Sequence, residues 1–464
     1  MIPNLSDAQV TLTPLLESDI SQEYLDSLND PNHMKYSRNV TYFHTFASQI
    51  EYITKFKNSF NLLFGVKQTN SGKLLGSITC YIDFYTSTLD LGFLIFKNYQ
   101  GKGYATRSLR LLIRYLESQF PGMTVVIGSH KDNLAMHKVA VNLDFQEVRL
   151  ELPDQVANLK FVKKLSKFNS LSQPGLPHFM LKAKKIGVAA HDAGGAEQVS
   201  WLLKNVSKKI FAYVEGPAIK IFEKAGVDFE KCYSLNKLIE CDLVITGSGW
   251  MSDLENKVIR KCEDFKVPCI TLLDHWVNYE ERFMKEPQAN PRMFAVTNLP
   301  ALQIASLVFP NQPIWLLPDH QVESYKSIIV RSSQNRDVLV LLEPSPALSN
   351  DFSITEELER LLIRSAFELK EKRNLDRVVM RLHPSDDPTN PKYLNFQAEF
   401  PDVYISTRTN LVEDLVLAAV VLGFSTYGLY ISAMCGIDTR SYFVGASNHW
   451  TSQFKATIRT LDQL

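Results

Sequence analysis

Two glycines one residue apart lie in Gln100-Gly101-Lys102-Gly103-Tyr104-Ala105. An apolar run, Leu91–Phe96, precedes them. From Thr106 onward, apolar side chains recur at helical spacing at Leu109, Leu112, Ile113 and Leu116. Glycine permits positive φ and leaves its backbone N–H uncovered. Several such N–H groups opening a helix, reinforced by its dipole, suit an anion. A phosphate-bearing ligand is expected on Gln100–Ala105, with Lys102 adding charge, although a solvated turn would carry a lysine as well.

Other polar segments follow short β-rich runs further on. His191-Asp192-Ala193-Gly194-Gly195-Ala196 opens a helix and offers a second backbone anion cradle beside an imidazole and a carboxylate. Thr246-Gly247-Ser248-Gly249-Trp250 follows a later run. Asp274-His275-Trp276 has Tyr279 and Arg282 close behind, and His383-Pro384 and Ser425-Thr426 follow two more runs. His191, Asp192, Asp274 and His275 are of types that move protons. The alternative for each is a helix cap or a satisfied core polar group.

These residues need elements to hold them. Strands are expected at Val10–Leu12, Leu62–Val66, Leu75–Phe84, Thr88–Phe96, Val125–Ser129, Phe145–Leu152 and Phe161–Leu165. Helices are expected at Glu17–Leu28, Thr45–Phe60 and Asn133–Leu143, besides the one after the glycine turn. Residues 166–183 carry Ser, Pro and Gly without a period and read as a linker. Then β-rich runs alternate with helical patterns: Ile186–Ala190, Ile210–Val214, Leu243–Thr246, Cys269–Leu273 and Phe294–Val296 form one series. Val338–Leu342, Arg377–Leu382, Val403–Ile405 and Val420–Gly423 form another, with a helix at Thr355–Lys370. Alternation of this kind predicts parallel sheets wrapped by helices. The expected division is 1–165, a linker at 166–183, and two Rossmann-like halves at 184–325 and 326–464.

The chain has 464 residues, 45% of them hydrophobic, and a formal net charge of zero. That length implies more than one domain. The charge balance gives no electrostatic case for nucleic acid or an anionic membrane. The six cysteines are scattered with no C-x-x-C, so neither zinc nor a disulfide framework is suggested, which fits a reducing cytoplasm. No metal site is expected. Residues 415–437 carry no charge and could span a bilayer by length, but the polar and glycine interruptions favour a buried strand, a polar loop and a buried helix.

The glycine turn after an apolar strand, followed by Asn133-Leu-Ala-Met-His-Lys-Val-Ala-Val-Asn-Leu-Asp-Phe145, resembles the GNAT N-acetyltransferase superfamily over about residues 9–165. The family usually ends the second helix in Gly-Phe; here it is Asp144-Phe145, and Asp also tolerates the left-handed conformation. The resemblance implies a mixed-sheet α+β domain that uses acetyl-CoA. Gln100, Gly101, Lys102, Gly103, Tyr104 and Ala105 would hold the pyrophosphate. A backbone N–H within Phe93, Leu94 and Ile95 would polarise the thioester. Asn133 would bond near the CoA arm or cap its helix. Asp90 is the expected base, with Asp83 second. Lys138 and Val139 lie where many relatives carry an acidic Tyr, which leaves Ser129, His130 or water to protonate the thiolate. Tyr36, Arg38, Tyr42 and His44 lie where related folds shape the acceptor pocket and would grip a sugar or a phosphate; the alternative is a surface loop.

R-L-His383-Pro384 and G-F-Ser425-Thr426 resemble the phosphate-holding motifs of bacterial sialyltransferase-like GT-B enzymes. This implies that a nucleotide sugar, CMP- or UDP-linked, sits in a cleft between two Rossmann-type domains, with Gly194 and Gly195 also facing substrate. The combined expectation is α/β throughout: an acetyltransferase for an amino sugar fused to a GT-B-like glycosyltransferase of bacterial surface-glycan or nonulosonate biosynthesis. A nucleotide-sugar hydrolase, or a protein N-acetyltransferase with a non-catalytic C-terminal module, are the alternatives. The expected partners are small molecules; the oligomeric state is left open.

Overall fold

The computed structural model describes residues 4–460 apart from 38–40, 58, 85, 150–158, 167–176, 205, 250, 275–277, 285–287, 330–335, 344–351, 384–385, 387–388, 425 and 442–458. Three sheets follow one another along the chain. The first is built from β1 (Leu5–Ser6), β2 (Val10–Pro14), α1 (Gln22–Asn29), α2 (Phe46–Lys57), β3 (Leu62–Gln68), β4 (Leu74–Asp83) and β5 (Thr88–Ile95). It continues with α3 (Tyr104–Gln119), β6 (Thr124–Ser129), α4 (Leu134–Val141), β7 (Gln146–Arg149) and β8 (Leu159–Lys164). Its order is β1-β2-β3-β4-β5-β6-β8-β7, antiparallel except where β5 and β6 run parallel.

Amphipathic helices close both faces of this sheet. Leu109, Leu112, Ile113 and Leu116 of α3 pack in one core with Leu89 and Leu91 of β5. Tyr24 and Leu25 of α1 and Ile53 and Phe56 of α2 form a second with Leu63 and Phe96. α4 ends as its sequence suggests: Asp144 takes φ 58, and Phe145 N–H closes on Ala140 O at 3.0 Å.

The second sheet begins after α5 (His178–Lys182). Its elements are β9 (Lys185–Ala190), α6 (Ala193–Lys204), β10 (Lys209–Val214), α7 (Pro217–Ala225), β11 (Glu230–Lys231), β12 (Leu243–Thr246), α8 (Leu254–Asp264), β13 (Cys269–Leu272), β14 (Phe294–Val296), α9 (Leu299–Val308) and β15 (Ile314–Leu316). The third follows α10 (His320–Ile328). It comprises β16 (Asp337–Leu341), α11 (Phe352–Arg373), β17 (Arg377–Arg381), α12 (Pro391–Glu399), β18 (Val403–Ile405), α13 (Leu411–Leu415), β19 (Ala418–Gly423), α14 (Tyr427–Met434), β20 (Asp438–Ser441) and β21 (Arg459–Thr460).

Both later sheets are wholly parallel, in the orders β11-β10-β9-β12-β13-β14-β15 and β18-β17-β16-β19-β20-β21. Every residue of β12 and β16 is buried, as strands covered on both faces require. Counted within its own series, each sheet starts at its middle and reverses between its first and fourth strands, at β9/β12 and β16/β19. Doubly wound sheets open a crevice at the carboxyl ends of such strands.

One expectation changes. Part of the stretch read as linker is α5, with Met180 and Ala183 buried and Lys182 Nζ donating to Phe56 O, Ser59 O and Asn61 O at 3.1, 2.8 and 2.8 Å. Five residues are too few for a period to show. The strand expected at Phe161–Leu165 is β8, which lies between β6 and β7. The uncharged stretch 415–437 is β19, a Thr426 cap and α14. Among the described residues, no helix is long and apolar enough to cross a membrane.

Candidate active site

β5 and β6 pair only over Thr88–Asp90 and Thr124–Val126. Beyond these residues β5 runs on to Ile95 and β6 to Ser129 without pairing, so a gap opens between them. Strand alternation fixes what faces it. Phe96 N–H donates to Leu75 O at 2.9 Å, in register with the β4–β5 ladder, so Gly92 and Leu94 also bond β4. Phe93 and Ile95 therefore turn their N–H and C=O groups into the gap.

The glycine turn stands at its end. Gly101 and Gly103 have φ 72 and 80, and a Cβ at either would meet no atom within 4 Å. Conformation, not space, demands glycine here. Gly103 caps the 16-residue α3, which Tyr104 and Ala105 open. Lys102 Nζ donates to Asn98 O at 3.0 Å and lies over the Tyr99 ring. Gln100 Nε2 reaches Ile95 O at 3.0 Å and His33 Nε2 at 2.9 Å. Asn133 Oδ1 accepts from Met136 N–H at 3.3 Å, so this side chain caps α4.

Asp90 stands where the strands part. It is exposed and lies directly across from Tyr81, which shares its sheet face. Tyr81 OH meets Tyr52 OH at 3.0 Å, and burial pushes the Tyr52 hydroxyl well above the ordinary phenol range. Asp83 accepts from Thr86 N–H at 3.2 Å and ties a turn. Ser129 is buried and donates to His130 O at 3.3 Å. Tyr36 stacks on the His130 ring at 5.5 Å and donates to Asp132 O at 3.1 Å. His44 faces inward: Nδ1 lies 2.9 Å from Gln49 Nε2, and burial lowers its pKa. Tyr42 is exposed, edge-on to His44. Arg38 lies outside the described residues.

In the second sheet, the carboxyl ends of β9, β12 and β13 converge. His191 Nδ1 lies 2.7 Å from Asp192 Oδ1, and Asp192 Oδ2 accepts from Met251 N–H at 2.8 Å. With Nδ1–H given to the carboxylate, Nε2 is left as the basic nitrogen. The Nε2 end of the imidazole lies against Gly216, where a Cβ would come within 2.6 Å of Nε2. Glu255 is 2% exposed; its Oε1 accepts from His191 N–H at 2.8 Å, and burial pushes its carboxyl up to about 7. Asp274 is paired with Arg282 and accepts from Ser248 Oγ at 2.8 Å.

A Cβ at Gly194 would lie 2.2 Å from Asp274 Oδ2. The helix start read as an anion cradle is thus already faced by a carboxylate, and Asp274 is held as an ion-pair partner. Gly195 backs onto Gly247, where a Cβ would meet backbone at 3.1 Å. His275 lies outside the described residues.

In the third sheet, His383 follows β17, and burial lowers its pKa. Thr426 Oγ1 caps α14, accepting from Gly428 N–H at 3.4 Å. Pro384 and Ser425 lie outside the described residues. Beside His383, Arg381 and Arg408 both pair with the buried Asp414, at 2.6 and 2.8 Å. Among the described residues no cluster of His, Cys, Asp and Glu could hold a metal ion.

Residues 9–146 match the family model described as Acetyltransferase (GNAT) domain. This region is a GNAT acetyltransferase domain. Solved structures similar to it include the microcin C7 self-immunity acetyltransferase MccE in complex with acetyl-CoA and AMP. It is 20% identical, covers 34% of this chain and 93% of its own, and has a TM-score of 0.30. RimL, a ribosomal L7/L12 alpha-N-protein acetyltransferase in complex with coenzyme A, is 13% identical over 35% of this chain and 98% of its own, with a TM-score of 0.31. A spermidine N-acetyltransferase from Vibrio cholerae in complex with CoA and spermine is 16% identical over 34% and 97%, with a TM-score of 0.29. No curated protein matches the chain.

Several groups in and beyond the acetyltransferase domain escaped the sequence. His33 touches the glycine turn from 67 residues before Gln100. Tyr52 and Tyr81 meet only through folding. Glu255 lies in Leu-Glu-Asn-Lys, a pattern that suggests a solvated helix face. Arg408 and Asp414 carry no motif of their own.

Proposed function

We propose that the acetyltransferase domain binds acetyl-CoA in the gap between β5 and β6 and transfers its acetyl group to an amine. The observation that carries this is the parting of the strands beyond Asp90, with Phe93 and Ile95 turned into the gap and the Gln100–Ala105 turn at its end. An extended pantetheine arm can bond a strand edge, and a pyrophosphate suits the bare N–H groups that open α3. Phe93 N–H polarises the thioester carbonyl. Asp90 takes a proton from the acceptor ammonium, and the neutral amine forms its bond to the acyl carbon as the C–S bond breaks. The acylated nitrogen gives up its second proton, and Ser129, His130 or water passes a proton to the departing thiolate and takes that one in its place. Titration calorimetry with acetyl-CoA tests the donor site; absence of binding overturns it.

The acceptor we infer is an amino sugar or its nucleotide conjugate. Residues 184–325 and 326–464 are the two Rossmann-type halves of a GT-B-like glycosyltransferase region in this reading, joined to residues 1–165 through 166–183. Its support is the strand order of the two parallel sheets, together with the polar groups at their carboxyl ends. His191, oriented by Asp192, is the base for an acceptor hydroxyl. Asp274 positions Ser248 directly, with Arg282 bonded to both. His383 and Thr426 stand at the phosphate end of a CMP- or UDP-sugar. Calorimetry with CMP, UDP and CDP tests this half, and no heat with any nucleotide refutes it. Peptide amines acetylated faster than amino sugars would refute the acceptor.

A further inference from the structure

The acetyltransferase domain carries a side chain where its donor should go. His33 lies in the turn after α1. Asp30 Oδ1 accepts from Asn32 N–H and His33 N–H at 2.9 and 3.3 Å, and the neighbouring Met34 is buried. This backbone is pinned. It aims the imidazole at Ile95 O, with Nε2 at 3.0 Å.

Ile95 O is one of the groups turned into the β5–β6 gap, and Gln100 Nε2 reaches it as well. A carbonyl oxygen has two lone pairs. With the proton on His33 Nε2 both are engaged, so a third donor must displace one of the two.

The trio is also poorly satisfied. Ile95 O, Gln100 Nε2 and His33 Nε2 stand about 3 Å from one another. If Nε2 carries the proton it can donate to Ile95 O but cannot accept from Gln100. If the proton sits on Nδ1, Nε2 accepts from Gln100 but sets a lone pair against Ile95 O. It then also leaves Nδ1–H unmet, since Nδ1 is buried without a partner among the described residues. Either tautomer leaves one contact unmade, so the imidazole is the member of the trio most readily given up.

We propose that His33 is a place-holder on the donor wall: it occupies Ile95 O until an amide N–H of the incoming pantetheine arm replaces it. This rests on the reading of the gap as the acetyl-CoA site. It makes His33 a positioning residue that weakens the binding of ligands bearing the amide arm and leaves those without it unaffected.

The test is titration calorimetry of the full chain and its His33→Ala and His33→Ser variants with three ligands: acetyl-CoA, free CoA and adenosine 3′,5′-diphosphate, which lacks the arm. Both variants are expected to bind acetyl-CoA and CoA about two- to tenfold more tightly, the worth of one net hydrogen bond, with the diphosphate unchanged. Equal or weaker binding of the two arm-bearing ligands overturns the place-holder, as does an equal gain for all three. A role confined to holding the turn would weaken all three. If the unaltered chain binds none of them, the donor-site reading itself fails.

Discussion

At Gly103 the backbone stands at φ 80 with open space beside it, so a substitution there tests conformation alone. Gly103→Val is expected to weaken acetyl-CoA binding about tenfold or more, since an L side chain costs about 1–2 kcal/mol in this region and a β-branched one more. Titration calorimetry reads it, and unchanged affinity removes the turn from the site. Asp90→Asn is expected to lower kcat/KM about 10²- to 10⁴-fold, the usual range for a lost general base, and to leave acetyl-CoA affinity alone. Full turnover across the pH range would acquit Asp90. Glu255 behaves differently. Burial holds its carboxyl at about 7, above the ordinary 4.5 of a glutamate. The folded chain therefore keeps a proton that the unfolded chain releases, and stability falls as pH rises from 4.5 through 7. Glu255→Gln removes that penalty and keeps an acceptor for His191 N–H. Its unfolding free energy in urea should match that of the unaltered chain at pH 4.5 or below and exceed it at pH 8, by about 3 kcal/mol at most. Equal values at pH 8 would show that Glu255 stays comfortably ionised.

Elements were legible where their cause is local. The glycine turn, the strands either side of it and the buried runs of both parallel sheets follow from a few adjacent side chains, and the structure places them within one or two residues of expectation. Asp144 could be read as a glycine substitute because only the conformation at a helix end was at issue. What folding brings together from afar was not legible. His33 meets Gln100 across the chain, and the insertion of β8 between β6 and β7 leaves no mark on either strand. α5 was missed because its role depends on one distant set of acceptors. Lys182→Met deprives three backbone carbonyls of their ammonium. It should cost about 1–3 kcal/mol in chemical denaturation, and a loss under 0.5 kcal/mol would mean that water serves those carbonyls equally well.

Across the whole molecule, the first two sheets share one contiguous hydrophobic core. Phe84, Phe120 and Met123 of the acetyltransferase domain belong to the same cluster as Met180, Ile186, Met293 and Trp315, and Trp315 Nε1 donates to Gln119 O at the end of α3. A ligand held only by the acetyltransferase domain should therefore stabilise more than that domain. Calorimetric melting with saturating acetyl-CoA should raise a single transition whose enthalpy exceeds that of residues 1–165 alone; a shift confined to a transition of that smaller size would separate the two sheets. The position of β8 matters before the protein is ever finished. Because this strand pairs with both β6 and β7, a nascent chain that has cleared the ribosome only to residue 146 has every residue of the family match and still lacks an interior strand. The domain can close only once residue 164 has emerged, and until then β6 presents an open edge to neighbouring chains.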